Sequence, residues 1–389
     1  MAAQELSVQP IVEWLDHGAA PARAPQDVLL HLAHRMLERG ISLYRVAVFV
    51  RTLHPNVAGR AFIWNADRDL VEVTSAEYGI QDTDQFLQSP VRVVYTTHAE
   101  VRRRICAPDC PADFPILADL RAEGATDFLA LPLRFLSDEV HAASFATRRP
   151  GGFADAEVAA LRTLMPPFCR VAEIYALRRQ SRNILDAYLG QQAGEKVLAG
   201  KIRRGDGEEI NAVIWFCDLR DSTPLADSMS RQDFLRLLNE YFECVLEPVQ
   251  ERKGEILRFI GDAALAIFPV AGDANEACRR ALEAAQQAMT RMNSLNEKRR
   301  SSGAPALGFG IGLHLGEVMY GNIGTPTRIE FTVIGAAANE AARIESLCKT
   351  LQVNLLISER VARQLAGPLR SLGRHALRGV GAPIELFTL

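Results

Sequence analysis

The chain has 389 residues, 48% of them hydrophobic and 23% charged, with a formal net charge of −3. This is the composition of a globular protein with room for two or three domains, and its near-neutral balance argues against a nucleic-acid partner, which would favour a basic face. The opening MAAQELSVQP lacks a basic region followed by an apolar core, so no signal peptide is expected, and no run approaches the roughly 18 apolar residues of a membrane-spanning helix, so no membrane insertion is expected.

In chain order, Val28, Leu29, Leu32, Met36 and Leu37 share one face of a helix over 26–39. His31 and His34 stand three apart on it and read as surface residues. Strands are expected at Arg45–Arg51, Ala61–Trp64, Leu70–Val73, Val91–Tyr95, Phe128–Leu133 and His141–Ala146, with a turn at Arg148–Gly152. Asp155 then reads as a helix N-cap, with Glu157 favoured by the helix dipole. This order describes an α+β sensor-sized domain over 1–155. A helical linker follows over 156–209. In it Leu161, Leu164, Phe168, Val171 and Tyr175 step by three and four like a coiled-coil seam, then slip in phase to Ile174, Leu177, Ile184 and Tyr188. Pro166-Pro167 should kink or split the helix, and Gly190–Glu209 reads as a polar connector. The seven cysteines are scattered, several of them in apolar runs, which suits reduced thiols and a cytoplasmic location. Cys106 and Cys110 lack the second pair that a zinc site would need.

The second half, 210–389, has α/β order. Strand Ala212–Cys217 leads to helix 231–249, then to GEILRFIGDAALAIFP (Gly254–Pro269). In that segment two alternating runs flank a Gly261-Asp262 turn, the pattern of a tight hairpin. An Ala-rich helix over 274–296, strands at Gly308–Leu315 and Ile329–Ile334, helix Ala336–Leu347 and a strand–helix–two-strand ending complete it. GEKVLAGK (Gly194–Lys201) has five residues between its glycines and no Ser or Thr after the lysine, so it is not a P-loop. GFGIG (Gly308–Gly312) reads as a strand with close backbone packing, and His314 as a core histidine. Asp218 and Asp262 each end or cap an apolar strand, where a carboxylate is costly unless paired or metal-bound. The residues alone leave two readings open: turn aspartates that bond backbone N–H groups, or oxygen ligands for Mg²⁺ or Mn²⁺.

Four blocks carry a resemblance: FCDLRDST (Phe216–Thr223), LRFIGDAALAIFP (Leu257–Pro269), HLGEVMYGNIG (His314–Gly324) and FTVIGAAANEAAR (Phe331–Arg343). In this order and spacing they resemble the class III nucleotidyl cyclases. The resemblance implies a ferredoxin-like palm domain working as a head-to-tail homodimer with active sites at the interface. It further implies Asp218, Asp262 and the Leu219 carbonyl as ligands of two Mg²⁺ or Mn²⁺ ions per site, Asn339 to orient the ribose and Arg343 to stabilise the transferring phosphate. Arg258 and Thr332 would read the base and Arg378 the β- and γ-phosphates. One protomer would supply the aspartates and its partner the other contacts.

Thr332 fits the adenine-selective threonine subgroup. Arg258 replaces its common lysine but remains a pure donor, so ATP is favoured as substrate and the implied reaction yields 3′,5′-cyclic AMP and pyrophosphate. A guanylate cyclase and a catalytically inactive nucleotide-binding signalling module stay open as alternatives. Asp221 departs from the family pattern; it either tunes the metals or caps the next helix. ASFATRRPGGFADAEVAAL (Ala143–Leu161) resembles the last strand and helix of a GAF domain, which leaves both ligand sensing and dimer scaffolding open for the N-terminal domain.

Overall fold

A computed structural model describes residues 6–389. Its contacts divide the chain into two compact units, one ending at Ala187 and the other beginning at Tyr188.

The first unit is built on one antiparallel sheet of six strands: β1 (Arg45–Arg51), β2 (Gly59–Asn65), β3 (Leu70–Ala76), β4 (Val101–Arg103), β5 (Asp127–Arg134) and β6 (Val140–Thr147), in the order β3-β2-β1-β6-β5-β4. Helices α1 (Gln9–Asp16), α2 (Pro25–Glu38), α3 (Asp84–Leu87), α4 (Pro90–Thr97), α5 (Ile116–Ala122) and α6 (Asp155–Leu189) surround it. Helix α4 corrects an expectation, because Val91–Tyr95 is helical and not extended. Pro90 sits at its first position and Ser89 accepts from the Arg92 N–H at 3.1 Å, so the start signals outweigh the β-branched run. Asp155 is the first residue of α6 and not its cap. Glu157 instead reaches back to the Ala154 N–H at 2.7 Å and takes the Ser42 N–H at 2.9 Å.

Pro166-Pro167 does not split α6. The expected seam, Leu161, Leu164, Phe168 and Val171, is buried in the first unit's own core with Leu29, Leu32, Leu129 and Phe145. Packing on both sides of the prolines holds the axis where two backbone hydrogen bonds are missing. The later positions Ile174 and Leu177 are 54% and 52% exposed. His34 pairs with Asp69 at 2.6 Å while His31 stacks edge-on against Trp14, so the two histidines do not share a ligand.

The second unit opens with α7 (Gln191–Leu198), a helix where a polar connector was expected; its Ala193 is fully buried. The strands are β7 (Gly207–Leu219), β8 (Glu255–Ile260), β9 (Ala263–Pro269), β10 (Phe309–Thr325), β11 (Arg328–Ile334), β12 (Leu355–Ser358), β13 (Arg370–His375) and β14 (Ile384–Thr388). They run β13-β14-β12-β10-β7-β9-β8, with β11 paired to the far end of β10. Among the described residues only β10 and β12 pair in parallel. The helices are α8 (Ser222–Asp227), α9 (Arg231–Glu251), α10 (Ala274–Ser301), α11 (Ala336–Thr350) and α12 (Glu359–Ala362).

Strand alternation sends side chains to two faces. Val213, Trp215 and Cys217 of β7, with Phe309, Ile311, Leu313 and Leu315 of β10, pack with α9 and α10 in the larger core. The other face of β10 presents Gly310, Gly312, His314 and Gly316, and α11 lies on this glycine track. A Cβ at Gly312 would stand 2.7 Å from the Ala341 carbonyl, and one at Gly316 would stand 2.6 Å from the Ala337 Cβ. The close packing expected of GFGIG is thus the seat of a helix.

Candidate active site

Asp218 lies near the end of β7, directly opposite Ala263 of β9. The two-residue turn that precedes Ala263 puts Asp262 beside it. Gly261 takes φ +65° there, a conformation that glycine adopts without strain. The two carboxyls touch. Burial, then the Asp262 charge, pushes the Asp218 carboxyl up to about 6. Leu219 buries its side chain in the core, which leaves its main chain to serve this corner. Half-buried carboxylates forced together would be relieved by a divalent cation, and an all-oxygen donor set suits Mg²⁺ or Mn²⁺, so the residues present fit a metal. No group of three or more His, Cys, Asp or Glu side chains gathers in metal-binding geometry among the described residues; the corner offers two carboxylates and main chain.

The base-reading candidates lie on neighbouring strands. A bulge between Ile256 and Arg258 shifts the register of β8 against β9, and it falls at the residue whose direction matters. Arg258 Nε is 3.2 Å from a Glu330 carboxylate oxygen on β11. Two residues along the same face of β11, Thr332 is 3% exposed and its hydroxyl has no partner among the described residues. An unsatisfied buried hydroxyl of this kind awaits a ligand or water.

The phosphate-side candidates also meet. Asn339 and Arg343 stand one turn apart on α11, and the Arg343 guanidinium lies against the Arg378–Gly379 turn, 3.6 Å from where a Gly379 Cβ would sit. Arg343 pairs with neither of its helical neighbours. Glu340 points to His314, 2.9 Å away, in a contact without hydrogen-bond alignment. Glu345 turns to the sheet and is 6% exposed. Burial, followed by the charge of Asp218, pushes its carboxyl up to about 7. Sequence reasoning gave Glu345 no part in the site. Its place in the buried Ala337–Ala341 stripe was the available signal. Asp221 neither caps nor joins the metal corner, because its side chain pairs with Lys349 at 2.8 Å.

One chain therefore presents Asp218, Leu219 and Asp262 at one corner, Arg258 and Thr332 on the neighbouring strands β8 and β11, and Asn339 and Arg343 on α11 with Arg343 against Gly379. No hydrogen bond or ion pair among the described residues joins the carboxylate corner to the others.

Residues 207–387 match the family model of the adenylate and guanylate cyclase catalytic domain. An adenylate cyclase of Anabaena cylindrica is 40% identical over 171 residues, covering 43% of this chain and 33% of that protein. An uncharacterized protein of Mycobacterium tuberculosis is 35% identical over 222 residues, covering 55% of this chain and 39% of that protein. The chain thus spans between a third and two-fifths of the length of these curated relatives. Among solved structures, a bacterial light-regulated adenylyl cyclase aligns at 24% identity and TM-score 0.47 over 57% of this chain and 64% of that chain. The adenylyl cyclase CyaB from P. aeruginosa aligns at 24% identity and TM-score 0.43, over 47% and 94%. The second unit, a mixed α/β fold, is thus the part of the chain that matches the adenylate and guanylate cyclase catalytic domain. No helix among the described residues is long and apolar enough to cross a membrane.

Proposed function

We propose that this chain is an adenylate cyclase, converting ATP to 3′,5′-cyclic AMP and pyrophosphate in a homodimer of ferredoxin-like palm domains. The observation that carries the reading is the contact of Asp218 with Asp262 at the tip of the β8–β9 hairpin, inside the segment that matches the cyclase family. These two carboxylates with the Leu219 carbonyl would hold two Mg²⁺ or Mn²⁺ ions per site. Such ions supply acidification of the ribose 3′-hydroxyl and charge neutralisation of the triphosphate. Arg343 donates to the α-phosphate as negative charge builds on it, Arg378 holds the β- and γ-phosphates bidentately, and Asn339 orients the ribose. Thr332 offers its unpartnered hydroxyl to the adenine amino group, and Arg258 donates to the ring. The 3′-oxygen attacks the α-phosphorus in line and pyrophosphate leaves.

The deciding measurement is cyclic AMP formation from Mn²⁺- or Mg²⁺-ATP by the purified chain. No product, or an Asp262→Ala variant as active as wild type, overturns the reading. A second reading, guanylate cyclase, draws on Glu330. Its carboxylate beside Arg258 can accept from the guanine N1–H and amino group, which Arg258 cannot. Competition between ATP and GTP in the same assay separates the two. Nucleotide binding without turnover would point to the inactive signalling module.

For the first unit we propose a GAF-like regulatory role, supported by its single antiparallel sheet and by Ala143–Leu161 forming its last strand and the start of its last helix. Comparing the full chain with residues 190–389 tests whether the first unit alters turnover.

A further inference from the structure

Helix α11 meets the sheet through Ala337, Ala341, Glu345 and Cys348, all buried. Three of these side chains are small and carry no charge. The fourth, Glu345, is 6% exposed, and among the described residues its carboxylate has no hydrogen bond and no ion pair; only unbonded charges face it, those of Asp218, Asp262 and Arg220. A carboxylate buried without a partner costs several kcal/mol of desolvation.

Gly310 shows where this carboxylate sits. A Cβ built there would lie 2.1 Å from Glu345 Oε1, so the carboxylate occupies the space a side chain at 310 would take. Gly310 is the residue directly opposite Asp218 in the β7–β10 register. Directly opposed residues point to the same face, with Cβ positions about 4.5–5.5 Å apart. Glu345 therefore stands one lateral step from Asp218, and Asp262 stands on the other side of Asp218, across the β7–β9 pairing. The three carboxylates form one row, and its innermost member has no hydrogen bond among the described residues, with the Arg220 guanidinium the opposite charge that acts on it. The surrounding chain is shaped for this placement, since only glycine at 310 leaves room for the acid.

We propose that Glu345 is a positioning residue of the cation site: it stands behind Asp218 and accepts hydrogen bonds from water carried by a divalent cation that Asp218 and Asp262 hold. The inference rests on the metal-binding reading of those two aspartates. It also gives α11 two duties. Glu345 faces its own protomer's carboxylates, while Arg343, two residues earlier, lies at the opposite side of the helix against Gly379.

Binding of Mn²⁺ alone to the full chain, followed by the loss of the free-ion electron paramagnetic resonance signal, tests this without turnover. Glu345→Gln keeps the shape and removes the charge. It should weaken Mn²⁺ binding about tenfold, the size of effect that outer-shell partners of metal ligands have, at an unchanged or raised melting temperature. Glu345→Met, which keeps the volume and removes every acceptor, should weaken it at least as much, and Asp262→Ala should remove it. A wild type that binds Mn²⁺ beside a Glu345→Gln variant within twofold of its affinity overturns this inference and leaves the cyclase reading standing. A wild type that binds no Mn²⁺ overturns both this inference and the metal reading of the aspartates.

Discussion

The phenol of Tyr320 lies 2.7 Å from both carboxylate oxygens of Glu255, at the start of the strand that carries Arg258 and leads to Asp262. Glu255 is 4% exposed and also takes the Ala193 backbone N–H at 3.1 Å. Lys196, one turn along the same helix α7, stands 4.2 Å over the Tyr320 ring. One buried carboxylate thus ties α7, β8 and β10 together.

Tyr320→Phe removes the strongest donor to Glu255. Hydrogen bonds to charged groups contribute about 1.5–3 kcal/mol, and that much stability should be lost at pH 8, read by denaturant unfolding of the second unit. Burial raises the Glu255 pKa above its ordinary value. A carboxyl with a raised folded pKa contributes stability that is present below its unfolded pKa and is lost as pH rises through the folded one. The variant raises that pKa further, so its penalty should shrink towards pH 4. A penalty that is constant with pH would mean that Glu255 is not the group affected.

Gly312→Ala should be among the costliest single substitutions in the second unit. The new methyl would stand 2.7 Å from the Ala341 carbonyl and 2.8 Å from the Glu345 nitrogen, both main-chain atoms that cannot swing away. Overpacking of this kind costs about 1–3 kcal/mol. Gly308→Ala meets only the Arg220 side chain, at 3.2 Å, and should cost much less. Equal destabilisation of the two variants would show that α11 is not held on the glycine track.

Elements with strong period and clear punctuation are legible in the sequence. The Gly261-Asp262 hairpin and its flanking strands follow from alternation and a two-residue turn. Two kinds of feature were not legible. The step of Leu161, Leu164, Phe168 and Val171 is the same whether a helix packs on a partner or on its own sheet, and here it packs on its own sheet. The surroundings of a charge are equally hidden: Glu340, Glu345 and Asp221 look alike in sequence, yet one faces a buried histidine, one enters the core and one meets a surface lysine. The bulge beside Arg258 leaves no mark on the alternation of the run.

His141 is fully buried in β6. Its Nδ1 accepts the Arg51 N–H at 3.2 Å, Phe135 packs edge-on against the ring at 4.1 Å, and the exposed Glu139 carboxylate is 3.7 Å from Nε2. Burial, then the Arg51 charge, lowers its pKa to about 4. A histidine depressed in this way contributes stability that is present above its unfolded pKa near 6.5 and is lost as pH falls through the folded value. The first unit should therefore lose on the order of 3 kcal/mol between about pH 6.5 and pH 4 on this account alone. Titration of the His141 ring protons by nuclear magnetic resonance reads the group directly. A midpoint near 6.5 would refute the assignment.

The separation of Asp262 from Arg343 within one chain bears on how the active site is completed. If each site takes its carboxylates from one protomer and Arg343 from the partner, Asp262→Ala and Arg343→Ala are each inactive alone but complement when mixed. In a mixed dimer one site carries both lesions and the other carries neither. Random pairing makes half of all dimers mixed, so an equal mixture should recover about a quarter of wild-type turnover per total chain. Asp218→Ala mixed with Asp262→Ala should recover nothing, because every site then has a damaged carboxylate corner. Its absence in the first mixture would show that the aspartates and Arg343 serve the same protomer, and recovery in the second would show that Asp218 and Asp262 of one site come from different protomers. Exchange has to be complete before cyclic AMP is measured, so the subunits are best mixed in mild denaturant and refolded together, with each variant treated alone as the baseline.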